Sequence, residues 1–249
     1  MTWAYARQRP KVRGFIDLHC HWVAGIDDGA RTPEQGVEML RRLQNAGFSK
    51  IVATPHMRPG MFDNDKASLE RAFAAMTASI PEGLPEVALS SEHFFDDVVF
   101  NRLKRGEGLP YPGGKAALVE FDPQRFPISL PARLLDLRRA GIAPVIAHPE
   151  RYAPTWKDTE SMQPLIDAGA CLLLDVCALV GKYGDKPKRA AETLLEEDAY
   201  EAACSDAHRA EDADVTARAI ERLEKLVGAD ETDRLMRRGP ETILAGAWS

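Results

Sequence analysis

A chain of 249 residues with 45% hydrophobic content has enough apolar surface to bury a sizeable core and reads as one globular domain. Its formal charge of −6 argues against a nucleic-acid surface, which normally needs a basic stripe. Only Arg7, Arg9, Lys11 and Arg13 cluster, in an opening stretch expected to be an exposed arm over residues 1–13. That stretch has no apolar core of the signal-peptide kind, and the longest apolar run, Cys171 to Val180, contains Asp175 and is too short to span a bilayer. The expectation is a cytoplasmic protein without membrane insertion, with one domain over residues 14–249.

In chain order, seven runs rich in Val, Ile, Leu or Ala read as buried strands, at about 14–18, 50–54, 86–91, 116–121, 143–147, 171–176 and 201–205. Helical segments lie between most of them. Thr32-Pro33 supplies an N-cap with proline at the first helical position, Gln35 stands where a capping box needs it, and Val37, Leu40 and Leu43 share a face before Ala46-Gly47. Further helices are expected near 65–79, 95–105, 131–139, 187–197 and 215–227, with a short helical tail beyond Asp230 and a loop across the Pro/Gly-rich 106–114 segment. Strand-helix alternation with near-continuous apolar strands predicts a parallel sheet covered by helices. Seven such units favour a closed (β/α)7-type barrel over an open sheet.

In such barrels chemistry collects at the carboxyl ends of the strands. Here His19 and His21 close the first run, His56 the second, Glu92 the third, Glu120 the fourth, His148 the fifth, Asp175 the sixth, and Asp206 with His208 the seventh. His19 and His21, two apart on a strand, share a face, with Cys20 on the other. Alone, that pair could equally hydrogen-bond within a core. A second pair, Asp206 and His208, at the end of another strand turns the balance to a metal, because imidazole and carboxylate are ligands divalent transition metals prefer. His56 alone would read as a loop histidine. Glu92 and Glu120 follow apolar residues, where a buried carboxylate must meet a metal or an arginine. Asp27-Asp28-Gly29 offers two carboxylates, and spacing does not say which points inward; a solvated turn is the alternative.

Arg151, after His148-Pro149-Glu150, carries a guanidinium suited to phosphate, the alternative being an ion pair with Glu150 or Asp27. His93 falls on the opposite face from Glu92 and reads as a core histidine, Asp17 as a residue orienting a histidine from behind, and Arg58 and Met61 as substrate-facing residues of the loop after His56. Cys20, Cys171, Cys177 and Cys204 lack CxxC spacing and read as buried free thiols.

The segments DLHCHWVAGIDDGA, ATPHMRPGMF, SSEHFFD, LVEF, IAHPERY, LVGKYG and CSDAH, in this order, resemble the PHP (polymerase and histidinol phosphatase) superfamily, and within it the bacterial capsule/exopolysaccharide-type protein-tyrosine phosphatases. The likeness runs from Gly14 to about Leu244. It implies a distorted (β/α)7 barrel with up to three divalent ions, commonly manganese, with iron or zinc as options. The implied ligands are His19, His21, Asp28, His56, Glu92, Glu120, His148, Asp206 and His208. Arg151 matches the phosphate-binding arginine; the catalytic set would be Arg151, Asp206 and His208, and Arg58, read from its loop rather than from the likeness, would be a second substrate contact unless it is only an exposed loop charge. Two departures stand out: Leu173-Leu174-Asp175 replaces a Gln-x-Asn stretch, and His93 replaces an apolar residue.

The implied reaction is hydrolysis of phosphotyrosine on a bacterial tyrosine kinase that governs polysaccharide export. Attack would come from a hydroxide bridging two ions, since coordination lowers the pKa of water from ~15.7 toward ~7. Three divalent ions against four matched carboxylates leave a cationic cluster, the complement of a phosphate dianion. The alternatives are a small-molecule phosphatase of the same superfamily, acting on histidinol phosphate or a nucleotide, and a non-catalytic module, which would be expected to have lost ligands.

Overall fold

The computed structural model describes residues 13–247, so the expected arm, Arg13 apart, lies outside the described residues. Among the described residues nine parallel strands occur where seven runs were expected. β1 (Phe15–Cys20), β2 (Phe48–Ala53) and β4 (Glu86–Leu89) form a sheet ordered β1-β2-β4. β3 (His56–Met57), β5 (Glu92–Phe94), β6 (Ala116–Glu120), β7 (Ala143–Ala147), β8 (Cys171–Asp175) and β9 (Ala202–Cys204) form a second in the order β3-β5-β6-β7-β8-β9. The extra strands come from a crease. Thr54-Pro55 interrupts the second run, because proline has no N–H for the ladder. Ser90-Ser91 interrupts the third, with the Ser90 N–H bonded back to Ala53 O at 2.8 Å.

The two sheets join into a ring of seven staves, the distorted (β/α)7 barrel. β1 meets the end of β9 through an isolated parallel bridge between Cys20 and Ala207, with Asp206 N–H donating to His19 O (3.0 Å) and His21 N–H to Ala207 O (2.9 Å). Asp17 stitches the same seam: its carboxylate accepts from Ser205 N (3.0 Å) and Ser205 Oγ (2.5 Å). It meets no imidazole nitrogen, but it also accepts from His19 N–H (3.3 Å), so it braces the histidine through its backbone while holding two strands together.

Alternation along the strands explains the layers. Ile16, Leu18, Leu118, Val145, Ala147, Leu173, Ala202 and Cys204 fill the ring, plugged by Tyr111 and Ile243, while the intervening residues pack under the helices. The loop over 106–114 earns its place by supplying Tyr111, whose hydroxyl donates to Leu18 O at 2.8 Å. Continuing the inward parity past Leu118, Leu173 and Cys204 brings Glu120, Asp175 and Asp206 to the carboxyl-end mouth. On β1 the same parity would turn His19 outward. A register shift between Asp17 and Cys20, one residue more on β1 than on β2, resets it.

The helices are α1 (Pro33–Asn45), α2 (Lys66–Thr77), α3 (Asp97–Lys104), α4 (Leu130–Arg139), α5 (Ala153–Lys157), α6 (Gln163–Asp167), α7 (Asp185–Glu196), α8 (Ala210–Asp233) and α9 (Gly239–Ala245). In α1 the Thr32 cap forms, but Gln35 Oε1 accepts from Arg31 N–H rather than closing a box on Thr32. α5 and α6 fall where no helix was expected, being single turns too short for periodicity to register. α8 starts five residues early because Asp212 accepts from the N–H groups of His208 and Arg209. It breaks direction at Gly228, where φ is 83°. Among the described residues no helix is long and apolar enough to cross a membrane.

Candidate metal centre

All nine residues expected as ligands arrive at the mouth of the ring. Four overlapping groups have donor atoms within 4.8 Å of one another: His21, Asp28, His56 and His208; His19, His148 and Asp206; His19, His21 and Glu92; and His56, Glu92 and Glu120. Glu92 sits in the middle. Its Oε1 lies 3.0 Å from His148 Nε2 and 3.5 Å from His19 Nε2, and its Oε2 3.1 Å from His56 Nδ1 and 3.4 Å from His21 Nε2. Asp206 Oδ1 lies 3.0 Å from His19 Nε2, and Asp28 Oδ1 is 3.4 Å from both His56 Nε2 and His208 Nε2.

Do these groups fit cations or merely one another? His19 Nε2, His21 Nε2, His56 Nδ1, Glu120 Oε1 and Asp206 Oδ1 are buried yet make no hydrogen bond, although their neighbours are close. Short separations without hydrogen-bond alignment mean that the atoms converge on shared space. A buried, unpaired polar atom is costly, and a divalent ion in that space would satisfy several at once.

The far sides of the rings agree. His19 Nδ1 is bonded to Thr54 Oγ1 (2.8 Å), His21 Nδ1 to Asp27 Oδ2 (2.8 Å) and His208 Nδ1 to the Asp206 carbonyl (3.1 Å). A carboxylate or carbonyl acceptor requires a proton on Nδ1, so the Nε2 lone pairs of His21 and His208 face the centre, the tautomer a metal needs. Thr54 can do the same for His19, since its own proton has Cys20 O to go to at 3.4 Å. Sequence reading missed Thr54; its position just before Pro55-His56 was the available signal. The Asp27/Asp28 ambiguity resolves through these contacts. Asp27 braces His21 and accepts from Gly29 N and His56 N, while Asp28 reaches the centre. Gly29 is required because a Cβ there would stand 2.1 Å from His21 O.

The charges are strongly coupled. Burial alone would lower the histidines, but Glu92, with Asp28 and Glu120, lifts His56 to about 10, and Asp27, Asp206 and Glu92 lift His21 well above its usual value. Burial opposes ionisation of Glu92 and Asp206 too, yet the surrounding imidazoles hold both well below the carboxylate range. Positive charge is what this cluster demands. Two of its members also sit in left-handed backbone, His148 with φ 38° and Asp206 with φ 43°, a conformation that costs a side-chain-bearing residue energy and collects at functional sites.

Arg151 contacts Asp206, lies 3.8 Å from Asp175 Oδ2 and stacks on Tyr183 with its guanidinium carbon 4.5 Å from the ring centre. It pairs with neither Glu150 nor Asp27. Glu150 instead accepts from Asp175 N (3.1 Å) and Tyr200 Oη (3.0 Å), and burial followed by repulsion from Asp175 raises it to about 8. Asp175, fully buried, thus backs the arginine. Beside it opens a cleft of about 320 Å³, lined by Arg58, Arg151, Phe121, Tyr152, Trp156 and Tyr183 among others. Arg58 lies over Phe94 at 4.0 Å, whereas Met61 is 60% exposed on the turn beyond and does not line the cleft. His93 stays outside the centre: its Nδ1 is 2.8 Å from Leu118 O and its Nε2 accepts from Leu109 N–H. The four cysteines are free and buried, and burial raises the pKa of each thiol, which disfavours thiolate chemistry.

A family profile described as capsular polysaccharide synthesis, CpsB/CapC, matches residues 15–245. Tyrosine-protein phosphatase YwqE of Bacillus subtilis (strain 168) is 30% identical over 219 residues, 86% of this chain and 86% of that protein. Tyrosine-protein phosphatase CpsB of Streptococcus pneumoniae is 27% identical over 238 residues, 92% of this chain and 98% of that one. A solved structure from work on YwqE and CpsB, described as unique metal-dependent tyrosine phosphatases, superposes with a TM-score of 0.82 at 28% identity, covering 93% of this chain and 94% of that one. More distant is the phosphotriesterase homology protein of Escherichia coli, with a TM-score of 0.56 at 11% identity over 94% of this chain and 99% of that one, a likeness of fold alone.

Proposed function

Because the chain belongs to the CpsB/CapC family of capsular polysaccharide synthesis proteins, we propose that it is a metal-dependent protein-tyrosine phosphatase. The observation that carries this reading is the run of unsatisfied imidazole and carboxylate atoms facing one space, with a guanidinium at its edge and an aromatic cleft beyond. His19, His21, Asp28, His56, Glu92, Glu120, His148, Asp206 and His208 would hold the cations, and the overlap of the groups suits up to three, manganese being the preferred assignment and iron or zinc the others. Bound there, divalent cations would supply charge stabilisation to phosphoryl oxygens and acidify the attacking water.

The protein's own groups do the rest. Arg151 offers a planar pair of N–H donors to the phosphoryl oxygens and exchanges its contact with Asp206 for them; Asp175 and the Tyr183 ring keep the guanidinium in place during that exchange. Phe121, Tyr152, Trp156 and Tyr183 give the cleft apolar walls for a phenyl ring, while Arg58 approaches Glu120 from the facing side. A phenol leaving group has a pKa of ~10 and departs without a strong general acid, so positioning and charge suffice. His208, a quarter exposed at the rim, would hold a cation through Nε2 while its Nδ1 donates to the Asp206 carbonyl.

The physiological substrate in this reading is a phosphotyrosyl protein, a bacterial tyrosine kinase of capsule or exopolysaccharide synthesis, met in the cytoplasm. Residues 14–249 act as one domain. The test is hydrolysis of a phosphotyrosyl peptide, histidinol phosphate and nucleotides in parallel, by protein loaded with manganese, iron or zinc in turn. Turnover of the peptide well above the others is expected; a preference for either small ester would replace this reading with the small-molecule one.

A further inference from the structure

Beyond the aromatic cleft lies a second hollow of about 410 Å³, between α5 and α7, lined by Gln124, Ala153, Trp156, Lys157, Lys186 and Arg189. Trp156 lines both, so the two lie on either side of one side chain, and Pro187 of the first neighbours Lys186 of the second. In a chain with 38 acidic and 32 basic residues, three of these six side chains are cations and none is a carboxylate. Several other surface arginines are tied up, Arg13 by Glu224, Arg42 by Glu38 and Asp214, and Arg222 by Glu192. Among the described residues Lys157, Lys186 and Arg189 form no ion pair; Lys186 only rests on the Trp156 ring, 5.6 Å from its centre. Exposed cations gathered in a concave surface, with no carboxylate in ion-pair contact, create a positive potential for a partner of opposite charge.

Resting on the phosphatase reading, we propose that this groove binds acidic residues flanking the phosphotyrosine of the substrate. With the phosphorylated ring between Trp156 and Tyr183, the peptide would leave over Trp156 and carry its next carboxylates to Lys157, Lys186 and Arg189. Catalysis stays with the metal centre. The groove sets which phosphotyrosines are preferred, through KM rather than turnover.

The experiment compares peptides with glutamates on the amino side, on the carboxyl side, on neither, or replaced by lysines, in wild type and in the K157Q/K186Q/R189Q variant. p-Nitrophenyl phosphate serves as a substrate with no flanks. Three exposed pairs of ordinary strength multiply to a preference of about tenfold in KM for one acid-flanked peptide. It should shrink with added salt and vanish in the variant, whose p-nitrophenyl phosphate kinetics stay within about twofold of wild type. Fluorescence anisotropy with phosphonomethyl-phenylalanine versions of the same peptides reads binding without turnover. Equal affinity for acidic and neutral flanks in wild type, or a preference that survives in the variant, overturns the groove. Absence of p-nitrophenyl phosphate hydrolysis under every metal instead overturns the phosphatase reading, and the anisotropy series still decides the groove.

Discussion

The two sides of the mouth are built differently. On the β1 side, His19, His21 and His208 each have the outer nitrogen anchored, by Thr54, Asp27 and a backbone carbonyl, so the rings are fixed before anything binds. On the β7–β8 side the partners are provisional: Arg151 leans on Asp206, which the centre also claims, and His148 Nδ1 has no partner. In the proposed reading the first side would hold cations in one arrangement. The second would exchange one set of contacts for another when a phosphate arrives, and on that reading the contrast separates groups that would set affinity for metal from groups that would set affinity for substrate.

Asp206 belongs to both sides, so its loss should be the most damaging. Asp206→Asn, which tolerates the left-handed backbone and keeps the shape, should lower turnover of an aryl phosphate roughly 10³-fold, the scale of removing a charge contact at the transition state. Its circular dichroism should match wild type. Retained activity would dissolve the contrast by showing that the anchored histidines suffice alone. Next, Arg151→Lys keeps charge but loses the planar fork, and kcat/KM should fall about 10²-fold at unchanged metal content by elemental analysis.

Thr54→Ala sharpens the comparison from the other side. Freed from its hydroxyl, His19 should weaken metal affinity by about tenfold, read by titration with a chelator, while activity at saturating metal recovers. If activity stays low when the site is full, Thr54 acts on substrate and the division fails. The smallest expected effect is at His93. Its neighbours accept only the neutral ring, and burial depresses its pKa from 6.5 to about 4. The folded protein therefore binds fewer protons than the unfolded chain in this window: the stability His93 provides is intact above 6.5 and fades as pH falls towards 4. His93→Gln should keep activity within about threefold, and its melting temperature should close on that of wild type as the pH drops from 7 to 4.

How much of this was open to reading? Strand ends were legible because buried parallel strands advertise themselves as apolar runs, and a polar residue terminating each run stands out; that located Glu92, Glu120, His148 and Asp206. The crease was not, since Thr54-Pro55 and Ser90-Ser91 look like ordinary punctuation until the register shows strands on both sides. Nor was the bulge on β1, which leaves no mark in the pattern yet decides which way His19 points. Residues acting through hydrogen bonds alone, Thr54 and Tyr200, had no periodicity to betray them, and the second task of Asp17 was hidden because Ser205 lies 188 positions away. The aromatic walls come from α5 and its neighbours, where segments of a turn or less carry no helical signal.

The twisted backbone at His148 and Asp206 has a bearing on how this protein can change over time. A residue that sits uphill in its own torsional well would relax if replaced by glycine, so selection for heat tolerance alone should repeatedly find these two sites, and each such gain would disarm the enzyme. Firmness of the fold and possession of these two side chains therefore pull in opposite directions at the same two positions.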